Sequence, residues 1–121
     1  MHDGKGEKIR LYGIDTPEKK QAFGKKAKKF TSDIGAGKMV EVKPVTTDRF
    51  GRTVGLVYID GKCLSEELVM AGYAWVYKRY CGKAICVKWI DIEQKVKAGR
   101  VGLWAAPNPV APWQFRRSKK K

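Results

Sequence analysis

Two short segments of the sequence combine carboxylates and arginines at spacings that suit phosphate chemistry. In the segment from Arg10 to Glu18, Asp15 and Glu18 place two hard carboxylates within one turn, beside the Thr16 carbonyl. Such oxygen donors suit a cation like Ca²⁺, and Arg10 is placed to reach a phosphate held by that cation. Alone, the residues better fit a helix start, with Thr16 as N-cap, Pro17 at the first helical position and Glu18 in the first turn.

The second segment, TDRFGR, runs from Thr47 to Arg52. Gly51 permits a tight turn, and Arg52 lies where the following predicted strand begins. A guanidinium group suits a phosphoryl transition state because it is planar, permanently charged and donates in a fork. Taken alone, the segment is better described as an Asx turn at Asp48 followed by an exposed strand arginine.

The scarcity of histidine excludes several catalytic classes. His2 is the only histidine, so Ser-His-Asp triads, Cys-His dyads and multi-His zinc sites are excluded. Hydrolysis would have to use carboxylates, arginines and a metal. The three cysteines are Cys63, Cys81 and Cys86, with no C-x-x-C motif. Cys81 and Cys86 could close a small disulfide or stay reduced beside a helix start, and the sequence leaves both open.

Charge indicates the partner. The 121 residues, enough for one domain, hold 26 Lys and Arg against 12 Asp and Glu, a net charge of +14. Residues 19–29 carry six lysines and no acid, and residues 116–121 carry five more cations. This clustering favours a nucleic-acid partner over the alternative of a solvated helix face and a frayed tail. Because no apolar anchor or membrane-length segment accompanies the charge, no membrane contact is expected, and the polar residues 1–10 predict no signal peptide.

Hydrophobic periodicity predicts a small α+β domain over residues 1–106, followed by an irregular Pro-rich, aromatic and basic tail over 107–121. A stripe beginning at Phe23 marks the first helix, and Ser65 is predicted to be the N-cap of the second. The predicted strands are 7–14, 38–45 and 53–60, and the predicted helices are 20–35, 65–71 and 84–98, with a short extended piece at 73–77.

Together the two segments, RLYGIDTPE and TDRFGR, resemble the staphylococcal nuclease (thermonuclease) family. The later SEELV–GYA stretch from Ser65 to Ala74 and the tripeptide Gly102-Leu103-Trp104 resemble that family in order and spacing. The resemblance covers residues from about 8 to 105, and its motifs are specific in combination.

The resemblance implies a calcium-dependent, sugar-nonspecific phosphodiesterase acting on DNA or RNA, on an OB-type β-barrel with three helices. By match to the family motif, Arg10 and Arg52 would clamp the phosphate, and Glu18 would activate the attacking water. Asp15 would be a calcium ligand, with Thr16 offering its carbonyl. In-line attack on phosphorus needs these components and no histidine.

The resemblance also implies substrate contacts. Arg49 and Phe50 fall where the family contacts a terminal phosphate and a base, and Tyr77 and Tyr80 lie near its nucleotide-stacking tyrosines. The expected substrate is single-stranded DNA or RNA, bound through backbone phosphates with weak base preference. The family's secreted or periplasmic members suggest export, although localisation is not set by this sequence.

The family's barrel begins with a hairpin carrying an Asp-Gly-Asp-Thr stretch, and this chain opens at about the turn after it. An incomplete barrel is therefore expected, with weaker calcium binding because one anionic ligand is missing. The strand at 7–14 would expose an edge, which predicts a homodimer formed by edge pairing or exchange.

Two other functions compete with the nuclease hypothesis. The first is a non-catalytic module on the same fold that binds nucleic acid or a protein. The second is a restriction-type nuclease, because Glu18-Lys19-Lys20 gives an E-x-K. The restriction-type hypothesis is disfavoured because, in nucleases of that type, the acidic residue and the E-x-K motif lie on neighbouring strands. Here Asp15 and Glu18 share one turn.

Overall fold

The computed structural model describes residues 9–18, 20–78 and 81–119. Helices and strands are mixed along the chain, which confirms the predicted α+β class. The strands are β1 (Ile9–Leu11), β2 (Ile14–Asp15), β3 (Val40–Thr47), β4 (Thr53–Ile59), β5 (Lys62–Cys63) and β6 (Trp75–Val76). The helices are α1 (Gly24–Gly35), α2 (Leu64–Met70), α3 (Ile85–Ala98) and α4 (Pro112–Lys119), with a 3-10 helix over Gly102–Ala105.

Strand β4 is the centre of a four-stranded sheet. It pairs with β1 in parallel and with β3 and β5 in antiparallel orientation, while β2 and β6 form a separate antiparallel pair. Between residues 9 and 119, as far as they are described, these two sheets do not close into a barrel. The register sets Arg10 of β1 beside Val54 of β4, and Asp15 of β2 beside Trp75 of β6.

The core lies between β4 and helices α2 and α3. Gly55, Val57 and Ile59 are the buried positions of β4, as the two-residue period of a half-buried strand requires. Leu64 and Leu68 of α2 are fully buried in this core, and so is the indole of Trp89 on α3. None of the helices in the described part of the chain has the length and apolar character needed to span a bilayer.

Two glycines bring the end of α2 into close contact with the start of the 3-10 helix. Gly72 and Gly102 both have positive φ, at 77° and 58°, and the Leu103 amide donates to the Gly72 carbonyl at 2.9 Å. A Cβ on Gly102 would lie 2.5 Å from that carbonyl oxygen, so a side chain cannot be accommodated without movement. This close approach fixes Trp104 on the 3-10 helix, and its ring packs at 4.4 Å on Trp75.

Several element boundaries differ from the sequence predictions. The strand predicted at 7–14 is interrupted after Leu11 by a turn at Tyr12 and Gly13, because Gly13 has φ 74°; residues 7 and 8 lie outside the described chain. Helix α1 begins at Gly24 rather than at residue 20, because residues 20–23 form a turn ending at Phe23 with φ 69°. Strand β3 is shifted to Val40–Thr47.

The predicted cap of α2 is wrong. The N-cap position is Cys63, and no side chain caps the helix. Ser65 is instead fully buried, and its hydroxyl donates to the Tyr12 carbonyl at 3.4 Å. The hydroxyl therefore serves a tertiary contact with the turn after β1 rather than a local one.

The irregular tail predicted from residue 107 is wrong for Pro112–Lys119, which form α4. Pro112 occupies the first helical position, where its missing N–H costs no hydrogen bond. Trp113 packs on Trp75 and Tyr77, and Phe115 lines an apolar cavity beside Pro17. Packing against the domain thus stabilises a helix that its composition does not predict.

Cys81 and Cys86 are joined by a disulfide with a Cα–Cα distance of 5.8 Å, which resolves the alternative left open by the sequence. The buried hydroxyl of Tyr12 accepts hydrogen bonds from the amides of Gly82 and Lys83 in the loop that the disulfide closes. Cys63 is a free, buried thiol, and burial raises its pKa. The turn at Tyr12 and Gly13, which precedes Asp15, is therefore held in place by the loop that the disulfide closes.

Candidate active site

The acidic segment, residues 15–18 with the carboxylates of Asp15 and Glu18, begins at the end of β2. Asp15 is the last residue of that strand, and its side chain is 12% exposed. The Glu18 amide donates to Gln21 Oε1 at 2.8 Å, and Gln21 Nε2 donates to the Val110 carbonyl at 2.8 Å. The alternative helix start at Thr16 is wrong, because α1 begins at Gly24 and has no side-chain cap. The Asp15 carboxylate is thus positioned by the end of β2, and the Glu18 carboxylate by a loop that Gln21 links to Val110.

Arg10 lies beside Asp15. Its Nη2 is 4.0 Å from Asp15 Oδ2, and its side chain is about one third exposed. Arg10 pairs with Val54 of β4, and Arg52 lies two residues before Val54, directly before that strand begins. The two predicted phosphate-clamping arginines therefore lie near the same end of β4, and of the two only Arg10 is within ion-pair distance of Asp15 among the described contacts.

The position of the Arg52 side chain depends on Asp48. Arg52 Nε donates to Asp48 Oδ2 at 2.7 Å, while Asp48 Oδ1 accepts from the amides of Phe50 and Arg52, both at 2.9 Å. Partial desolvation raises the pKa of the Asp48 carboxyl, but these hydrogen bonds and the Arg52 charge outweigh it and leave the pKa below its usual value. The Asx turn considered in the sequence analysis is therefore present, and it also orients Arg52.

The Asp15 and Glu18 carboxylates converge on one guanidinium group, that of Arg116 in α4. Arg116 Nη2 donates to Asp15 Oδ2 and Nη1 to Glu18 Oε1, both at 2.5 Å, with Nη1 also 3.4 Å from Asp15 Oδ1. The bonds to Asp15 raise the pKa of Arg116 above its ordinary value, against partial desolvation, with Glu18 adding to the rise. Sequence reasoning treated Arg116 only as part of a basic tail, so it missed this contact.

An aromatic cluster positions α4. The ring of Trp113 lies 5.7 Å from Trp75 and 4.4 Å from Tyr77, measured between centroids. Trp75 is the residue paired with Asp15 across the two-stranded sheet. The cluster therefore borders the acidic segment, and Arg116 follows Trp113 by about one helical turn. The Trp113-Gln114-Phe115-Arg116 sequence after Pro112 is the signal that could have indicated this helix.

The other predicted substrate-contacting residues have different surroundings. Phe50 is 70% exposed, and the guanidinium groups of Arg49 and Arg52 lie 4.9 and 5.5 Å from its ring centroid. Tyr77 is half-buried under Trp113, and its amide donates to the Gly13 carbonyl. Tyr80 lies outside the described residues. Phe50 thus forms a stacking surface rimmed by cations, beside Arg52.

In the described part of the chain, the carboxylates of Asp15 and Glu18 are the acidic groups that this site offers to a cation. Within the ranges that the structure describes, no group of three or more His, Cys, Asp and Glu side chains is arranged to hold a metal. The oxygens of Asp15 and Glu18 nevertheless meet within the span of a single guanidinium group. Hard carboxylate oxygens suit Ca²⁺, which takes 6–8 oxygen ligands, so water or substrate would complete the shell.

Helix α1 carries the predicted basic face. Its four lysines are exposed, and among the described residues Lys29 is the one of the four that forms an ion pair, with Asp33 at 3.0 Å. Phe23, Ala27, Phe30 and Ile34 form the less exposed stripe, and the rings of Phe23 and Phe30 pack near Tyr73. The four lysines are Lys25, Lys26, Lys28 and Lys29. The helix therefore presents cations to solvent next to the turn that contains Gln21.

Comparison with known proteins places these features in a family. The sequence profile described as "Staphylococcal nuclease homologue" matches residues 8–106. The chain is 42% identical over 113 residues to a staphylococcal-like nuclease of Arabidopsis thaliana, covering 93% of this chain and 34% of that protein. It is 40% identical over 116 residues to an uncharacterized endonuclease of Haemophilus influenzae, covering 96% of this chain and 64% of that protein.

A micrococcal nuclease of Shigella flexneri is a further relative, 36% identical over 122 residues, which cover 93% of this chain and 70% of that protein. The chain spans about a third of the length of the first plant relatives that it matches. All the residues from Arg10 to Trp104 discussed above fall within the matched range, whereas α4 lies beyond it.

Proposed function

Because this chain belongs to the staphylococcal nuclease homologue family, we propose that it hydrolyses the phosphodiester bonds of DNA and RNA with Ca²⁺ as its metal and without sugar specificity. The observation that carries this proposal is the convergence of Asp15 and Glu18 on one point, with Arg10 beside them. Relatives named as nucleases support the same activity.

Each of these residues has one role in the proposed reaction. Asp15, with the Thr16 carbonyl, would hold the cation, which when bound supplies positive charge to the non-bridging phosphate oxygens. Glu18 accepts a proton from the attacking water. Arg10 and Arg52 donate to the phosphate as negative charge develops on it, with Asp48 fixing the Arg52 side chain.

Substrate binding would rest on charge and stacking. The exposed lysines of α1 contact backbone phosphates, which gives affinity without sequence preference. Arg49 offers a further cation, and the exposed ring of Phe50 offers a face to a base. Tyr77 and Tyr80 are proposed to stack on nucleotides. Single-stranded DNA or RNA fits this arrangement because its bases are free to stack.

The sheet architecture supports two further proposals. The fold is proposed to be an OB-type barrel, of which β1, β3, β4 and β5 form one part. Within the described residues β1 pairs only with β4, so its other edge is open. We propose that two copies pair through this edge to form a homodimer. Sedimentation velocity showing only monomer at high protein concentration would contradict that pairing.

The activity is tested by incubating the protein with denatured DNA in Ca²⁺ and in excess chelator. Calcium-dependent cleavage is expected, and Glu18→Gln should lower kcat by about 10²-fold or more because the carboxylate that accepts the proton is lost. The matched control is Glu41→Gln on β3, an exposed glutamate whose ion-pair partner is Lys43 at 3.7 Å. Equal rates for the two variants would remove Glu18 from the reaction.

A non-catalytic binding module is the second candidate, favoured by the ion pairs that Arg116 makes with both carboxylates. A module of this kind would bind denatured DNA and leave it intact in Ca²⁺. Binding without cleavage would therefore support the module and contradict the nuclease.

A further inference from the structure

We propose that α4 is an internal occupant of the active site, in which Arg116 competes with the metal cation for Asp15 and Glu18 while Trp113 covers Tyr77. The inference rests on the proposed function, because it takes the two carboxylates as the cation site. It adds a regulatory contact: the helix must leave, at least at Arg116, before the cation can bind.

The first observation is the position of the Arg116 charge. One guanidinium group donates to both carboxylates, so it fills the point where their oxygens meet. Charge-assisted hydrogen bonds of this kind are strong, and the pair is partly shielded from water since Asp15 is 12% exposed. A metal cation at this site would bind the same carboxylate oxygens as Arg116. The two exclude each other because they would occupy the same space and because both are positively charged.

The second observation concerns the aromatic side of the same helix. Trp113 lies one turn before Arg116 and packs on Tyr77, with 36° between the ring planes and 4.4 Å between the centroids. Tyr77 was proposed above to stack on a nucleotide. A single helix thus covers a carboxylate pair and an aromatic ring that the substrate complex would use, which a tail docked at random would not do.

The third observation is that α4 is held by contacts that connect it to the acidic segment itself. Gln21 links the Glu18 amide to the carbonyl of Val110, just before the helix. The helix has 8 residues, too few to be stable in water without these contacts. The Arg116 ion pairs are a further contact of this kind, so their loss should loosen the docked helix as well as the side chain itself.

Competition between Arg116 and the cation has a thermodynamic consequence. The apparent cation affinity is the intrinsic affinity reduced by the fraction of molecules in which the carboxylates are free. By reciprocity, a bound cation must weaken the docking of α4 to the same extent. Docking of α4 would then report, in the absence of substrate, whether the site holds its metal.

The direct test is calcium binding by isothermal titration calorimetry, with Ca²⁺ alone as the probe. Arg116→Ala should bind Ca²⁺ about ten-fold more tightly than the wild-type protein, since the competing charge is gone. Arg117→Ala is the matched control: the neighbouring arginine is exposed, and its removal changes the net charge equally. A change of less than about two-fold is expected there, because it pairs with neither carboxylate among the described contacts.

Hydrogen exchange gives a readout that does not depend on tight calcium binding. Amides of residues 112–119 should exchange faster in the wild-type protein when Ca²⁺ is added, and should already exchange fast in Arg116→Ala without it. The double variant Asp15→Asn, Glu18→Gln should also release α4, because its side chains no longer carry the charges that Arg116 binds.

Three results would overturn the inference: an unchanged calcium affinity in Arg116→Ala, an equal gain in Arg117→Ala, or slow exchange of α4 in the double variant. The fate of the proposed function is separate, since it is decided by cleavage of denatured DNA. Cleavage by the wild-type protein with no gain in affinity for Arg116→Ala would keep the nuclease and remove the competition. A gain in calcium affinity for Arg116→Ala, without cleavage by the wild-type protein, would keep the competition and remove the nuclease.

Discussion

At the scale of single residues, the contacts of Asp48 decide where the Arg52 guanidinium lies. Its two carboxylate oxygens accept from Phe50 and Arg52, so one side chain both forms the turn and holds the arginine. The spacing of Asp15 and Glu18 similarly predicts their proximity. Their pairing with Arg116 was not predictable from spacing, because 98 and 101 residues separate the partners.

Replacing Asp48 should change how stability depends on pH. The pKa of this carboxyl is lowered from its ordinary value of 3.8, so its ionised form is favoured by folding. Its contribution is therefore fully present above that value and is lost as the pH falls through the lowered pKa. The difference in melting temperature between wild type and Asp48→Asn should shrink across this window.

The measurement is thermal unfolding from neutral pH to about pH 2, with Asp60→Asn as the control, since Asp60 makes an exposed ion pair with Lys38. A difference between wild type and Asp48→Asn that stays constant, or grows on acidification, would contradict the assigned hydrogen bonds.

At the scale of elements, hydrophobic periodicity predicts the helices and strands that form the core. Strand β4 and helix α3 lie within one residue of their predicted bounds, because both bury a regular stripe. Helix α4 was not predicted because the prolines before it indicate an irregular segment, whereas its stability comes from tertiary contacts of Trp113 and Phe115. The late start of α1 has a similar cause, since Gln21 binds the nearby Glu18 amide and, across the fold, the Val110 carbonyl.

The contact between Gly72 and Gly102 gives a prediction for this scale. Gly102→Ala should lower the free energy of unfolding by about 2–3 kcal/mol, since it adds a steric clash to the strain of a positive φ. Gly37→Ala is the matched control, because Gly37 also has positive φ, at 69°, but a Cβ there would meet nothing within 4 Å. It should cost only about 1 kcal/mol. Equal losses in urea unfolding would show that the clash is relieved without cost.

At the scale of the whole molecule, the charge of +14 is concentrated rather than spread. The basic face of α1 begins a few residues after Glu18, so the cations follow the two carboxylates closely along the chain. A polyanion bound along this face would be led to the site by the same field that binds it. Composition predicted this partner class, because it needs only the sign and clustering of charge.

Neutralising two lysines of α1 should weaken binding of single-stranded DNA in a salt-dependent way. For Lys25→Gln, Lys28→Gln, the slope of log K against log salt should fall by about 1.4, or 0.7 per lost phosphate contact. Lys38→Gln, Lys62→Gln serves as the control, since these lysines lie at the end of β4 opposite Arg52. Fluorescence anisotropy at several salt concentrations measures both. Identical slopes for the two double variants would place the nucleic acid elsewhere.

The most direct test of the central claim, that Arg10 and Arg52 act on one phosphate, is a double-mutant cycle on kcat/KM for denatured DNA. Arg10→Ala and Arg52→Ala should each lower kcat/KM by about 10²-fold, because each removes a donor to the developing charge. If both guanidinium groups bind the same phosphate, the double variant should lose clearly less than the product of the single losses. Strictly multiplicative losses, or a variant that retains wild-type activity, would contradict the shared site.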